Sequence, residues 1–360
     1  MGLHRLTLVL LSLLVCLSGC AVAVIRTQRH TECVALGLLP EILSGISAEY
    51  GWLRDDTVLV VGLAALLILA VAVAVRCWRR RDAVTRSLKV ATVAMPCDND
   101  PEDNWARIIE KADAVLTAHP DVELLVFGEM LLGHFNPGGD PEGFRAMARP
   151  LTEPTLSPLI ELVREHGAYI SVGLPERAGD VLHNSQVLLN PQGEIQAIHR
   201  KWNLKPDEAA AGYTPGARPV TVTEINGVKT GIIICSDAAS PRVMWELMRS
   251  RPDLIVQSLV DDRDEGWFVA TFNARMYDAW FVTANRFGDQ GGWYWNGHLV
   301  ISDPKGKLQA TSLDQEQVLV HELTFVEDRC RLQRWLRILR VRTPLLWHLL
   351  RNWKLAKSYL

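Results

Sequence analysis

From Thr57 to Val75 the chain is an unbroken apolar run, chiefly Val, Leu, Ala and Ile, with no charged residue. A helix of this length approaches the roughly 20 apolar residues that cross a bilayer core, and the run is too long for an ordinary core strand. A buried core helix is the alternative, but a helix that is apolar all round has few soluble uses. Its flanks give an orientation. Asp55 and Asp56 precede the run while Arg76, Arg79, Arg80, Arg81 and Arg86 follow it, and such a basic flank belongs on the cytoplasmic side. Everything after Arg81 is therefore expected to face the cytoplasm.

A second apolar stretch, Leu6 to Ile25 behind Arg5, reads as a further membrane helix or as a signal. Within it Leu17-Ser18-Gly19-Cys20 resembles the lipobox of bacterial lipoproteins, which implies a bacterial inner membrane and leaves two fates open: lipidation of Cys20 after cleavage, or a retained helix. Residues 26–56 are then expected to form a short extracytoplasmic loop in either case. At the other end, nine Arg and Lys residues follow Asp328 and alternate with Leu332, Trp335, Leu336, Leu339, Trp347 and Trp353. This basic amphipathic pattern suits the anionic cytoplasmic leaflet, or packs on a neighbouring subunit; its large apolar face argues against nucleic acid. The organisation expected is a membrane-anchor region over 1–86, a globular domain over 87–325 and the amphipathic tail over 326–360.

The 360 residues, 48% of them hydrophobic and 22% charged, can bury a full core, so disorder is excluded as the main state. Seven cysteines, an odd count without CxxC spacing, suggest neither a disulfide framework nor a zinc site. From Leu88 onward short Val, Ile and Leu runs alternate with helical patterns, as in a layered α/β domain. Strands are expected at Leu88–Met95, Leu124–Phe127, Tyr169–Val172, Ser185–Asn190, Ile195–His199, Lys229–Ile234, Leu254–Gln257, Phe281–Ala284 and Leu299–Ser302, with a helix over Pro101–His119. Asn190-Pro191-Gln192-Gly193 and Asp303-Pro304-Lys305-Gly306 read as turns.

Three of these strands end in a residue that can do chemistry. Cys235 follows Gly231-Ile232-Ile233-Ile234, at the carboxyl edge where open α/β sheets place ligands. Glu129 follows Leu124 to Gly128, and Lys201 follows Ile195 to Arg200. Each alone has a plainer reading: a small buried hydrophobe, a loop carboxylate, a solvent-facing lysine. Together they make a site, because a thiol needs a base to take its proton and a cation to hold the thiolate.

These segments, in order, resemble those of the nitrilase (carbon-nitrogen hydrolase) superfamily over about Leu88 to Leu323. Val126-Phe127-Gly128-Glu129-Met130 resembles the strand bearing the catalytic Glu, with Gly128 where proline is usual. Val172-Gly173-Leu174-Pro175-Glu176 and Asn184-Ser185 resemble connecting segments. Arg200-Lys201-Trp202-Asn203-Leu204 resembles the lysine motif, and Tyr213-Thr214-Pro215-Gly216 the turn after it. Ile233-Ile234-Cys235-Ser236-Asp237 resembles the nucleophile motif, with Ser236 in place of the common aromatic. Ala274-Arg275 to Ala284-Asn285-Arg286 resembles a late helix and strand.

The resemblance implies a four-layer αββα sandwich, subunits that pair into a homodimer or larger homo-oligomer, and a Glu129–Lys201–Cys235 triad working through a Cys thioester, with the Ser236 N–H as oxyanion donor. It also implies a second glutamate near Lys201, for which Glu208 is nearest and Asp207 or an unfilled position at Ala211 are alternatives. His134 and Trp267 are further candidates to shape a substrate pocket, alongside Tyr277, Trp293 and Trp295. No metal or organic cofactor is required. The expected function is hydrolysis of a non-peptide carbon–nitrogen bond, in a small-molecule or amphiphilic amide or nitrile, at the cytoplasmic face of a membrane. Two others stay open: an N-acyltransferase of the apolipoprotein N-acyltransferase type, marked by a thioester that persists until an amine arrives, and a catalytically silent oligomeric scaffold, marked by an unreactive Cys235.

Overall fold

The computed structural model describes residues 62, 64, 65, 68, 69, 72, 84–133, 141–290 and 292–326. Internal contacts divide the chain into two units, 1–80 and 81–360. In the first unit Gly62, Ala64, Ala65, Ile68, Leu69 and Ala72 are helical. Among the described residues no helix is long and apolar enough to cross a membrane. The expected segment Leu6–Ile25, the rest of Thr57–Val75, the basic tail and His134 lie outside the described residues.

The second unit carries thirteen described strands: β1 (Val84–Pro96), β2 (Leu124–Val126), β3 (Tyr169–Ala178), β4 (Val181–Leu189), β5 (Ile195–Arg200), β6 (Thr221–Ile225), β7 (Val228–Ile234), β8 (Leu254–Ser258), β9 (Trp280–Gln290), β10 (Trp293–Asn296), β11 (Leu299–Ser302), β12 (Leu308–Ser312) and β13 (Gln317–Val326). The described helices are α1 (Pro101–Ala118), α2 (Pro141–Met147), α3 (Glu153–His166), α4 (Pro206–Ala210), α5 (Pro241–Ser250) and α6 (Gly266–Tyr277). One sheet runs β5-β4-β3-β2-β1-β13, with β1, β2 and β3 parallel. The other runs β6-β7-β8-β9-β11-β12, with β7, β8 and β9 parallel. A short parallel pairing of Ala94–Pro96 with Asn285–Phe287 joins the two.

Alternation along the strands builds the layers, because successive side chains leave opposite faces of a sheet. Leu124 and Val126 enter a core shared with Ile232, Val256, Val282 and Leu299, which is the seam between the sheets. Leu125 and Phe127 point the other way, onto Ile108 and Val115 of α1 and Leu159 and Val163 of α3. On the second sheet Ile233, Ile255, Phe281 and Val300 turn outward onto Val243 and Leu247 of α5 and Ala270 and Ala274 of α6. Helix, sheet, sheet, helix is the expected αββα order.

Both expected turns form, with Gly193 N–H donating to the Asn190 carbonyl and Gly306 N–H to that of Asp303, each glycine at positive φ. α1 starts where Asp100 accepts the Glu102 and Asp103 N–H groups. The late helix expected around Ala274-Arg275 is α6; β6, β10, β12, β13 and helices α2 to α5 were not anticipated from the sequence.

Candidate active site

Glu129, Lys201 and Cys235 converge at one end of the sandwich. Glu129 leaves β2 at the carboxyl edge and is 1% exposed. Its Oε1 accepts from Lys201 Nζ at 2.8 Å and from Asn184 Nδ2 at 2.6 Å, and its Oε2 from the Val260 N–H at 3.0 Å. The approach of β3 to this loop depends on Gly173: a Cβ there would stand 2.2 Å from the Gly128 carbonyl oxygen and 2.7 Å from Glu129 Cα. Arg286 Nε donates to the Glu129 carbonyl at 3.1 Å.

Lys201, also 1% exposed, follows β5. Its N–H donates to the Asn184 carbonyl, and its own carbonyl accepts from Gly216 N–H. Gly216 is needed for that contact, since a Cβ would lie 2.2 Å from the Arg200 carbonyl oxygen. Besides Glu129, the ammonium bonds Glu208, at 2.9 Å to Oε1 and 2.8 Å to Oε2. Of the three positions left open near Lys201, Glu208 is the one whose carboxylate meets the ammonium. α4 delivers it, the Lys205 N–H pins its Oε2 at 2.8 Å, and Asn184 Nδ2 bonds its Oε1 at 2.8 Å.

Cys235 follows β7 directly, at the start of a 3-10 turn, and is 8% exposed. Its φ of 42° is left-handed, a conformation costing a residue with a side chain about 1–3 kcal/mol. Surrounding bonds hold it there: Gln257 Nε2 donates to its carbonyl at 2.8 Å, and its Sγ lies 4.0 Å from the Val260 carbonyl. The Val260 backbone thus meets the thiol through its carbonyl and Glu129 through its N–H.

Electrostatics follow from this packing. Burial pushes the Cys235 thiol up to about 12, the Glu129 charge adds to it, and Lys201 and Lys205 pull the other way. For Lys201 burial favours the neutral amine, but Glu129, Cys235 and Glu208 outweigh it and hold the group above the usual lysine range. Glu208 is held above the usual carboxylate range by burial, against the pull of Lys201 and with the push of Glu129. The arrangement places a buried thiol beside a buried ammonium that two carboxylates, Glu129 and Glu208, hydrogen-bond.

A profile of the carbon-nitrogen hydrolase family matches residues 89–328. The chain belongs to the carbon-nitrogen hydrolase family. Among relatives of this hydrolase, a nitrilase of Pyrococcus abyssi is 28% identical over 66% of the chain and 89% of its own length. An (R)-stereoselective amidase of a Pseudomonas species is 31% identical over 44% of the chain and 55% of its own length. In fold, this hydrolase resembles an amidase from Nesterenkonia, with TM-score 0.57 and 20% identity, over 71% of this chain and 97% of that one. It also resembles a Saccharomyces cerevisiae member of branch 10 of the nitrilase superfamily, with TM-score 0.59 and 19% identity, over 67% of this chain and 91% of that one.

The remaining candidates separate. Ser236 follows Cys235 directly, and its Oγ donates to the Asn203 carbonyl at 2.6 Å. Trp267 is 48% exposed on α6, its ring edge-on to Phe268, so it stands on the surface of the helical layer rather than against the buried Glu129, Lys201 and Cys235. Tyr277 packs in the core under α6 and Trp293 is 43% exposed, whereas Trp295 joins Met130, Tyr213 and Val260 in one buried cluster beside the site. Sequence reasoning missed Asn184, Val260 and Arg286 as site residues. Asn184 and Arg286 stood within the resembling segments but without a role, and Val260 carried no signal.

Proposed function

We propose that this carbon-nitrogen hydrolase cleaves the C–N bond of an amide or nitrile, small or amphiphilic, through a thioester on Cys235. The observation that carries this reading is Lys201, a fully buried ammonium held by Glu129 and Glu208 and coupled to the Cys235 thiol. A buried charge costs too much to serve as filler, and this one stands where negative charge must develop. As Sγ bonds to the carbonyl carbon of an amide, the thiol proton passes to Glu129. The carbonyl oxygen takes up the negative charge opposite Lys201 and the Ser236 N–H, donors that typically contribute a few kcal/mol. Collapse breaks the C–N bond and Glu129 returns the proton to the departing amine or ammonia. Glu129 then takes a proton from water, whose oxygen displaces sulfur and releases the carboxylic acid, and passes that proton to the departing Cys235 sulfur.

Names carried by relatives, nitrilase and amidase, support this class of substrate. The apolar run before the domain, its helical residues with Ile68 and Leu69 exposed, and the arginines after it support anchoring in a membrane with the domain on the cytoplasmic side.

The test is intact-mass analysis of the detergent-purified chain beside Cys235→Ala, after exposure to amides and nitriles, with ammonia measured in parallel. A wild-type adduct and ammonia release, both absent from Cys235→Ala, are expected. Ammonia release by Cys235→Ala at the wild-type rate would sink the reading, and an adduct that clears only on adding an amine would move it to acyl transfer.

A further inference from the structure

Lys201 and Cys235 follow β5 and β7, which lie in different sheets: β5 pairs with β4, and β7 with β6 and β8. No ladder hydrogen bond therefore sets the spacing between the two residues. The segments that carry them are joined instead through Asp237, which is fully buried. Its Oδ1 accepts the N–H groups of Trp202 at 3.0 Å and Asn203 at 2.8 Å, the two residues after Lys201. Its Oδ2 accepts the N–H of Ile234 at 2.9 Å, immediately before Cys235, and His199 Nε2 at 2.8 Å. His199 Nδ1 pairs with Thr221 Oγ1 at 3.2 Å on β6, so the imidazole bridges the sheets as well. A reciprocal pair completes the arrangement: Asn203 Nδ2 donates to the Ser236 carbonyl at 2.7 Å, and Ser236 Oγ to the Asn203 carbonyl at 2.6 Å.

We infer that Asp237 is a positioning residue that clasps the Lys201 loop to the Cys235 turn and so sets where the ammonium stands relative to the sulfur. This rests on the roles proposed for Lys201 and Cys235. Three backbone N–H groups reach both oxygens of one buried side chain, with His199 Nε2 against Oδ2 as well, and a carboxyl group offers acceptor lone pairs on both oxygens where an amide offers them on one. An amide at this position would turn its own N–H groups toward some of those donors. The strands would survive that loss, because β7 keeps both ladders and its apolar faces in two cores. The turn after β7 would not, since the left-handed Cys235 persists only where its surroundings over-determine it. Ser236 also gains a reason here: a small hydroxyl residue reaches Asn203, which an aromatic side chain has no donor placed to do.

The experiment measures kinact and KI for alkylation of Cys235 in the full-length chain by fluoroacetamide, read by intact mass, in wild type, Asp237→Asn, Asn203→Ala and Lys201→Ala. A displacement of about 1 Å at reacting groups costs on the order of 100-fold. Asp237→Asn should lower kinact by about 10- to 100-fold with KI within about threefold, and Asn203→Ala, which spares the core, should lower it less but in the same sense. A part that only holds the fold would lower the fraction of labelled chains and leave kinact unchanged. Wild-type kinact in both variants, with Lys201→Ala slow, overturns the clasp alone. Wild-type kinact in Lys201→Ala overturns the reading of the site, and the clasp with it.

Discussion

Lys201 is where the charges of the site meet, and its neighbours divide the work by their environments. Glu129 raises the thiol it is proposed to deprotonate, second only to burial, while Lys201 opposes it. Glu129→Gln removes the negative neighbour and leaves the cation, so the thiol of that variant titrates below wild type. Alkylation of Cys235 by iodoacetamide should accordingly reach half its plateau at lower pH in Glu129→Gln, while amide turnover falls about 10²- to 10⁴-fold through loss of the base. A pH profile unmoved or shifted upward would remove Glu129 from beside the sulfur. All three residues were legible together, because three strand ends in order offer a base, a cation and a thiol, although each alone has a plainer reading. Asn184 was not, since an amide inside a strand reveals nothing about which two carboxylates will face it.

At the scale of the element, three strand ends present the chemistry and the glycines beside them allow the approach. β3 passes so close to the Glu129 loop that Gly173→Ala puts a methyl group onto the Gly128 carbonyl and the Glu129 backbone. Both are main chain, with no flexible end to move aside, so the substitution should cost about 1–3 kcal/mol of stability. It should also lower kcat at temperatures where the protein remains folded, which thermal melts beside turnover assays will check; an unchanged melt and rate would mean that the loop has room to shift. Strands with one continuous apolar run were readable, as β2, β7 and β8 show. β6 (Thr-Val-Thr-Glu-Ile) was not, because an edge strand buries one face only and its alternate residues are exposed or half-exposed. β13 draws its place from pairing with β1 across most of the domain, information no local window holds.

For the whole molecule, the domain and the proposed anchor separate cleanly along the chain. β1 begins at Val84 and is locked between β2 and β13, so removal of residues 1–80 spares every described ladder. The truncated chain should leave the membrane fraction more readily than the full chain while keeping Cys235 alkylation within about twofold, as fractionation and intact mass will show, unless the basic tail suffices to hold it. A full-length chain that already partitions wholly into the soluble fraction would end the anchoring proposal.

What the sequence determined by itself is local: short continuous apolar runs that make the buried strands, their carboxyl ends where Glu129, Lys201 and Cys235 emerge, and turns marked by Pro and Gly. Those follow from side-chain character and backbone preference, which act between near neighbours. Tertiary structure alone decided that Glu208 rather than Asp207 reaches Lys201, that Asn184 stands between two carboxylates, and that Asp237 joins two sheets. These depend on which strands face each other across the seam, and a buried polar group finds its partner only after the apolar faces have closed around it.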